Sequence, residues 1–325
     1  MGKQRIGVVM GGWGEERDIS LKTGEAVARA LESLGYPVTR ILAGTDLPEI
    51  LREVEIDVAF LALHGRMGED GRVQGLLEVM GIPYTGSGVL ASALAMNKPY
   101  AKKLFRLANL ATPTGYTVSS RECDEALERH LDLGFPCVVK PARGGSSVGV
   151  TVVHEAEALT EAVTEACRYG GEALVERFIK GREVTVGIVD GEVVGCAEIA
   201  HGTDAFDYAT KYEKPARLHI PVRLSATRVA NVEAMALAAY RALNCRGYAR
   251  IDFICADSGD NDVLLEVNTL PGLTATSLLP KIARQAGSTF EALVERIVLT
   301  AGLDDSLGRP VRPEQREAPA ASISL

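Results

Sequence analysis

Three side chains near the C-terminal end could together bind a hard metal ion. Asp252 occurs in one apolar stretch, two residues after Arg250, and Glu266 and Asn268 occur in the next. Carboxylate and amide oxygens without His or Cys suit Mg²⁺, which typically takes one or two protein carboxylates and completes its shell with substrate phosphates and water. The alternative interpretation is the solvated face of a half-buried sheet, where polar residues also alternate with apolar ones.

Both stretches have the pattern of β-strands, and the acidic segment 257–262 between them is typical of a turn. Because side chains on a strand alternate between its faces, Arg250 shares a face with Asp252, and Glu266 with Asn268. If the strands pair through the turn, two carboxylates and an amide converge on one point. The apolar residues between them would then back the site.

A second candidate site is the Gly/Ser-rich loop 142–149, which joins two predicted strands, 135–141 and 149–153. Lys140 at its base supplies a cation, and Ser146 and Ser147 supply hydroxyl donors. Glycine-rich backbone can bind phosphates through several N–H groups, although this loop lacks the Gly-Lys-Ser/Thr ending of a P-loop. A flexible hairpin loop is the alternative, and the lysine with paired serines favours phosphate binding.

The N-terminal part reads as a strand, a glycine-rich turn and a helix, with the strand over 6–10 and the helix over 20–34. In open α/β sheets, ligands bind at the carboxyl ends of the strands. Glu16 and Arg17 at this turn could therefore face a ligand, or simply begin a solvated helix. Arg17 occupies the position where a dinucleotide fingerprint requires Gly or Ala, which argues against an NAD site.

Another strand of the N-terminal part is predicted over 57–63, and it runs into the charged, glycine-containing segment 64–71. His64 is a candidate neighbour of a site at this strand end, although a lone His is more often structural. The later Gly86-x-Gly88 motif follows a very short stretch that contains Pro83, and we interpret it as a chance match to a dinucleotide motif.

Periodicity and breaker residues predict the remaining elements. Pro99 is expected to start a new helix with Lys98 at its entrance. Three successive strands, over 173–178, 183–189 and 192–199, are expected to form one antiparallel sheet. The other expected segments are a linker over 112–115, a mobile loop over 201–217, helices over 155–169, 226–243, 277–285 and 289–299, and a disordered tail.

Composition narrows the class of protein. The 325 residues are 46% hydrophobic and 24% charged, which is typical of a globular protein with two or three domains. The net charge of −8 argues against a nucleic-acid partner. No signal peptide and no apolar run of about 18 residues is present, so no membrane partner is expected and the cytoplasm is the expected compartment. Six scattered Cys residues form no zinc or redox motif.

With all these segments considered in order, the sequence resembles the ATP-grasp superfamily, and within it the D-alanine–D-alanine ligases, from about Ile6 to Gly302. Each segment alone is a weak signal, and seven in the same order are specific. They are 11–20, 64–71, 96–98, 140–149, 207–212, 250–252 and 266–277.

The resemblance implies a multidomain α/β and α+β fold, in which a parallel N-terminal α/β domain precedes two antiparallel sheets that sandwich ATP. It also implies that the protein forms a homodimer. The expected division is 1–95 for the N-terminal substrate domain, 96–180 for the central subdomain, 181–303 for the C-terminal subdomain with the metal site and mobile loop 201–217, and 304–325 for the tail.

The same resemblance implies the binding of ATP and of two Mg²⁺ (or Mn²⁺) ions. The metal ligands would be Asp252, Glu266 and Asn268. The residues implied to bind ATP are Lys98, Lys140, Ser147, Glu176, Arg177, Phe178, Ile179, Glu183 and Lys211.

For the substrates, the resemblance implies two D-alanine molecules. Glu16 matches the position that receives the first ammonium, with His64 also in the substrate group. Arg250, the Gly272 N–H and Ser277 match positions that hold the second carboxylate and the developing oxyanion. The implied catalytic group is Glu16, Ser146, Tyr212, Arg250 and Gly272, of which Glu16, Ser146 and Tyr212 would form a network that closes the loop over the site.

The implied reaction is formation of D-alanyl-D-alanine for peptidoglycan precursors through an acyl phosphate. Trp13-Gly14, Asp18 and Gly144 depart from the usual motifs, and none of these departures removes an implied ligand. A ligase that uses D-lactate or D-serine second is a close alternative, although the Lys211-Tyr212 pair favours D-alanine. More distant alternatives are a nucleotide-binding regulatory protein and an NAD-dependent oxidoreductase.

Overall fold

The structure is a computed structural model. It describes residues 3–14, 16–123, 130, 132–145, 148–200, 217–258 and 262–304. The mobile loop predicted for 201–217 lies outside this set except for Arg217, and the predicted tail lies outside it except for Asp304.

The N-terminal part is a three-stranded parallel sheet with the order β2-β1-β3. All six residues of β1 are buried, as expected for a parallel strand covered on both faces. Its strands are β1 (Ile6–Gly11), β2 (Val38–Ala43) and β3 (Val58–Leu61), and its helices are α1 (Arg17–Ser33), α2 (Leu47–Glu53) and α3 (Arg72–Met80). The carboxyl ends of β1 and β3 thereby place Glu16 and His64 at one edge of the sheet.

Two helices follow, α4 (Val89–Met96) and α5 (Lys98–Leu107), and they confirm the predicted break. The Asn97 side chain caps α5 by accepting a hydrogen bond from the Tyr100 N–H at 3.4 Å. Pro99 occupies the first turn, where its missing N–H is tolerated. Lys98 therefore lies at the entrance of α5, as predicted.

The central sheet has four antiparallel strands in the order β4-β7-β5-β6. They are β4 (Gly115–Ser119), β5 (Cys137–Pro141), β6 (Thr151–Val153) and β7 (Glu172–Arg177), with α6 (Leu159–Arg168) following a 3₁₀ turn at Ala156–Ala158. Buried residues such as Val118, Val139 and Val163 pack between this sheet and α6. The segment predicted as a linker leads directly into β4.

The third sheet has five antiparallel strands in the order β10-β9-β8-β11-β12. They are β8 (Gly181–Val189), β9 (Glu192–Ala200), β10 (Arg217–His219), β11 (Tyr248–Ala256) and β12 (Val263–Asn268), covered by α7 (Ala226–Ala242). The prediction that β7, β8 and β9 share one sheet was wrong, because β7 pairs with β4 and β5 of the central sheet. Alternation along a strand defines its two faces but not its partner, and three residues suffice for the chain to cross between sheets.

The last helices, α8 (Leu278–Gln285) and α9 (Phe290–Leu299), pack against the N-terminal domain. Leu293 and Ile297 belong to the same buried cluster as Val9 and Leu31. Outside this cluster, the Tyr36 hydroxyl donates to Glu295 Oε1 at 2.9 Å. The N-terminal sheet is therefore rigidly attached to the segment that follows β12. Among the helices described, none is long and apolar enough to cross a bilayer.

Candidate active site

A cleft lies between the central and five-stranded sheets. Apolar side chains such as Val138 and Leu265 line its two walls. The polar lining residues that were predicted from the sequence are Lys98, Lys140, Glu176, Glu183, Asp252 and Glu266.

The predicted strand pair is confirmed, with Arg250 opposite Asn268 and Asp252 opposite Glu266. Asn268 Nδ2 donates to Asp252 Oδ2 at 2.9 Å, and Thr185 Oγ1 donates to Asp252 Oδ1 at 2.6 Å. The apolar residues between these positions on β11 and β12 are buried. Two carboxylates and an amide therefore converge on the cleft face, as the alternation predicted.

Cations balance the charges of the two carboxylates. Arg250 Nη2 lies 2.7 Å from Asp252 Oδ2, and Lys98 Nζ lies 3.0 Å from Glu266 Oε2. Burial alone would raise the pKa of Glu266, but the charges of Lys98 and Lys140 outweigh it and lower that pKa to about 2. Glu266 is therefore ionised at neutral pH and is ready to accept a cation.

The donor set fits a hard divalent cation. Within the described ranges, no three His, Cys, Asp or Glu side chains form a metal-binding cluster, so a third protein ligand has to be an amide or backbone oxygen. Asn268, already hydrogen-bonded through Nδ2, has its carbonyl oxygen for this purpose. Two carboxylates and one amide leave the remaining positions to phosphates and water, which suits Mg²⁺ or Mn²⁺.

Lys98 ties helix α5 to the glycine-rich loop. Its N–H donates to the Ala142 carbonyl at 3.0 Å, and its Nζ donates to the Gly144 carbonyl at 2.6 Å. The same ammonium contacts Glu266. One lysine thus connects the loop with the candidate metal ligands. Ser146 and Ser147 of this loop, and Lys211 and Tyr212, lie outside the described residues.

On the central-sheet side of the cleft, Glu176 on β7 lies between two lysines. Lys140 Nζ is 2.5 Å from Glu176 Oε2, and Lys102 Nζ is 2.7 Å from Oε1. Lys102 was missed by sequence reasoning, since it interrupts the apolar face of α5 between Ala101 and Phe105. That interruption was the available signal, because a lysine on a core-facing position requires a buried partner.

The crossover from β7 to β8 forms the rim of the cleft. The Arg177 N–H donates to the Thr114 carbonyl at 2.9 Å, and the Phe178 N–H donates to the Pro136 carbonyl at 3.3 Å. Phe178, Ile179 and Glu183 line the cleft, whereas most of Arg177 is exposed. The backbone of this segment is therefore fixed beside the space that a base would fill.

Glu16 lies between two loops at the end of the cleft. Its carboxylate is 3.4 Å from the point that a Cβ on Gly145 would occupy, and a Cβ on Gly65 would collide with its Oε2. Gly65 also has φ +64°, a left-handed conformation that favours glycine. These glycines allow the carboxylate to lie against both loops.

His64, which directly precedes Gly65, is a neutral imidazole. Its Nδ1 is 3.1 Å from the Leu270 carbonyl, and its Nε2 is 3.0 Å from Thr23 Oγ1. A carbonyl can only accept, so Nδ1 carries the hydrogen and Thr23 donates to Nε2. Burial lowers the pKa of His64 to about 4, and the charge of Arg250 acts in the same direction.

Glu69 is a functional candidate to which sequence reasoning assigned no role, although it lies in the 64–71 motif. Its Oε2 accepts from the Gly65 N–H at 2.8 Å, and its Oε1 accepts from the Leu270 N–H at 3.1 Å. Burial, with the charge of Glu16 adding to it, raises the pKa of Glu69 to about 7. This carboxyl joins the His64 loop to the segment after β12.

Gly272 and Ser277 lie together at that segment. A Cβ on Gly272 would be 2.9 Å from Ser277 Oγ and 4.0 Å from His64 Cε1. Ser277 Oγ accepts from the Thr274 N–H at 3.0 Å and lies at the N-terminal end of α8. The predicted substrate residues Glu16, His64, Gly272 and Ser277 therefore border one region beside the cleft.

Comparisons with known proteins match this chain over most of its length. The family models described as D-ala D-ala ligase N-terminus and D-ala D-ala ligase C-terminus match residues 43–87 and 108–299. A D-alanine–D-alanine ligase of Trichlorobacter lovleyi is 51% identical, over 93% of this chain and 96% of that protein.

Solved structures share the fold. The D-alanine–D-alanine ligase of Bacillus anthracis complexed with ATP has a TM-score of 0.81 and 36% identity, and the match covers 91% of this chain and 97% of that one. The VanG D-Ala:D-Ser ligase of Enterococcus faecalis has a TM-score of 0.81 and 28% identity, with 92% and 99% covered. Both comparisons include the sheets that form the cleft.

Proposed function

The chain belongs to the D-alanine–D-alanine ligase family, and from this premise we infer that it joins two D-alanine molecules at the expense of ATP. The product is D-alanyl-D-alanine, a component of peptidoglycan precursors. One observation carries the proposal at the level of the site. Lysines and paired oxygen donors converge in one cleft between two sheets, with the candidate substrate residues beside it.

ATP would lie between the central and five-stranded sheets. Its phosphates would face Lys98 and Lys140, whose charges offset the negative charge of the phosphoryl groups. Its base and ribose would face Glu176, the crossover backbone at 177–179 and Glu183. Support comes from the lining of the cleft, which includes all of these residues. Ser147 and Lys211 remain predicted ATP ligands.

Asp252, Glu266 and Asn268 would hold two Mg²⁺ or Mn²⁺ ions. When bound, the ions would neutralise phosphate charge and orient the γ-phosphoryl group for transfer. Lys98 and Arg250, which lie against these two carboxylates, would contact the phosphates or a substrate carboxylate.

The first D-alanine would place its ammonium on Glu16, whose carboxylate lies against Gly65 and Gly145. The second would place its carboxylate on Arg250 and Ser277, with the Gly272 N–H directed at the oxygen that becomes negative. Neutral His64, with Nδ1–H fixed by Leu270, would contribute no charge to the region between them. Ser146 and Tyr212 remain predicted members of the network with Glu16.

The chemistry is two successive transfers. A carboxylate oxygen of the first D-alanine attacks the γ-phosphorus as the bond to the ADP oxygen breaks, which gives an acyl phosphate. The deprotonated amine of the second D-alanine then attacks the acyl carbon, and the C–O bond to phosphate breaks. Arg250 and Gly272 would stabilise the tetrahedral oxyanion, and the enclosed cleft would limit hydrolysis of the acyl phosphate.

Family likeness is also the basis of three further proposals. The domains divide at about residues 95 and 180, the protein is a homodimer, and it is located in the cytoplasm. The net charge of −8 is the basis for proposing that no nucleic acid is a partner.

The test of the activity is phosphate release from ATP and Mg²⁺, with the product identified by mass. D-alanine should support release and give D-alanyl-D-alanine, whereas L-alanine should not. D-serine and D-lactate added beside limiting D-alanine separate this activity from that of ligases such as VanG. If the main product joined D-alanine to D-serine or to D-lactate, the proposal that D-alanine is the second substrate would be wrong.

A further inference from the structure

Lys102 is a buried lysine with a defined pair of partners. Its side chain is 1% exposed. Its Nζ lies 2.7 Å from Glu176 Oε1 and donates to Thr112 Oγ1 at 2.9 Å. An ammonium without water is stable only when its charge and donors are matched, so these two contacts determine where Lys102 lies. Lys102 does not line the cleft itself.

The partner carboxylate does line the cleft. Glu176 is buried on β7, and its cross-strand neighbour on β5 is Val138. Lys140 contacts Oε2 and Lys102 contacts Oε1, so each oxygen has its own cation. Burial alone would raise the pKa of Glu176, but the two lysines outweigh it and the pKa is lowered. Glu176 is thereby held ionised in an otherwise apolar wall.

Glu176 also has spare capacity to accept a hydrogen bond. An ionised carboxylate has about four acceptor sites on its two oxygens, and the two lysines use only part of them. An ionised carboxylate has only acceptors, and it pairs with an amino group but not with a carbonyl oxygen.

Lys102 and Lys98 lie one helical turn apart on α5, and so on the same face. Lys98 contacts the glycine-rich loop and Glu266, and Lys102 contacts Glu176. The linker after α5 carries Thr112, the second partner of Lys102. One helix thus positions two carboxylates that line the space proposed for ATP.

We propose that Lys102 is a positioning residue for nucleotide selection, which holds Glu176 as an ionised, correctly oriented acceptor for the amino group of adenine. The inference rests on the proposed binding of ATP in this cleft. Without Lys102, Glu176 would turn towards Lys140 or take up a proton. A protonated carboxyl can donate to a 6-oxo purine, so the selection against such nucleotides would weaken.

The experiment compares Lys102→Met with Lys103→Met, which carries the same change at the adjacent, exposed position of the same helix. Steady-state rates are measured with ATP and with inosine triphosphate, whose base has a 6-oxo group. Lys102→Met should raise the KM for ATP at least about tenfold, as expected for the loss of one partner of a buried charge pair. Its kcat should stay within about threefold of the starting protein, since no transition-state contact is removed.

The ratio of kcat/KM for ATP to that for inosine triphosphate is the decisive readout. It should fall about tenfold or more in Lys102→Met and stay unchanged in Lys103→Met, while the KM for D-alanine stays the same in both. Lys102→Arg, which keeps the charge, should restore part of the selectivity. Adding Lys102→Met to Glu176→Gln should change the ratio little further, because both changes act on one contact.

An unchanged ratio in folded Lys102→Met would overturn the inference. If that variant does not fold, Thr112→Val provides the test, since it removes one of the two partners of Lys102. A several-fold fall in the ratio supports the inference, and an unaltered ratio overturns it. Failure of the proposed function is separate, because the unsubstituted protein would then release no phosphate in response to D-alanine.

Discussion

Lys98 and Glu266 face each other across the candidate active site, with Nζ 3.0 Å from Oε2. One comes from the entrance of α5 and the other from β12, so this pair joins the glycine-rich loop to the strands that carry the candidate metal ligands. The lysine is the counter-charge of this carboxylate. In the proposed complex with ATP, Glu266 would hold a divalent ion and Lys98 would contact a phosphate.

Glu266→Gln should lower turnover by about 100-fold or more, because the amide cannot supply the charge that the metal requires. Asp252→Asn should act in the same direction. Each substitution also leaves a largely buried cation without its partner and should lower the free energy of unfolding, so folding of each variant is measured separately by urea unfolding. The measurement is the rate of phosphate release over a Mg²⁺ titration. Glu192→Gln, at a side chain that is 76% exposed, is the control and should behave as the unsubstituted protein. Near-normal turnover in Glu266→Gln would remove the metal assignment.

Glu16→Gln should raise the KM for D-alanine by roughly 10- to 100-fold, the usual value of a hydrogen bond between charged groups. The KM for ATP should remain within about twofold, because Glu16 does not line the nucleotide cleft. Glu25→Gln, on the same end of the chain but in an exposed pair with Arg40, is the matched control. Equal D-alanine dependence in the two variants would exclude Glu16 from the substrate site.

Gly65→Ala should impair the use of D-alanine, because the added methyl group collides with Glu16 Oε2. The positive φ should also cost about 1–2 kcal/mol of the free energy of unfolding. Gly75→Ala is the control, since nothing lies within 4 Å of its Cβ position and it lies within α3. There, alanine should stabilise the helix by up to about 1 kcal/mol without a change in kinetics. If both variants had the same KM for D-alanine, the proposed contact would be wrong.

His64 and Glu69 should give opposite pH dependences of stability. The pKa of His64 falls from 6.5 to about 4 on folding, so the unfolded chain takes up the proton first and stability decreases as pH falls through this window. The pKa of Glu69 rises from 4.5 to about 7, so the folded protein keeps a proton that the unfolded chain loses, and stability decreases as pH rises. Between pH 4.5 and 6.5 the two effects oppose each other.

Single substitutions should separate these two effects. Against the unsubstituted protein, Glu69→Gln should make the free energy of unfolding rise more steeply with pH, and His64→Gln should make it rise less. The slopes should differ by at most about 1.4 kcal/mol per pH unit for each group. Urea unfolding of the ligand-free variants at pH 5, 5.5 and 6 measures the slopes. Parallel curves for all three proteins would contradict the pKa values that burial imposes here.

Sequence reasoning located the parts of the site that depend on local pattern. The pairing of β11 with β12 follows from alternation around an acidic turn, and it brought Asp252 and Glu266 together as expected. The break before Pro99 likewise placed Lys98 at a helix entrance. Local steric and hydrogen-bonding rules act over a few residues, so such features can be predicted without the fold.

The features that were missed depend on distant partners. Strand β7 belongs to the central sheet because it pairs with β4 and β5, which come much earlier in the chain. Strand β8 follows β7 directly but belongs to the other sheet. Lys102 requires Glu176, and Glu69 requires the Leu270 N–H, across 74 and 201 positions of sequence respectively. Residue type indicates that a buried charge needs a partner, but only the packed fold identifies which one.

The most direct test of the proposed reaction follows the oxygen atoms. With D-alanine labelled by ¹⁸O in both carboxyl oxygens, the acyl-phosphate route predicts that each phosphate released carries one ¹⁸O, because a carboxylate oxygen attacks phosphorus and leaves with it. The peptide carbonyl of the product should retain the other. Phosphate without ¹⁸O, formed together with the dipeptide, would contradict transfer through an acyl phosphate.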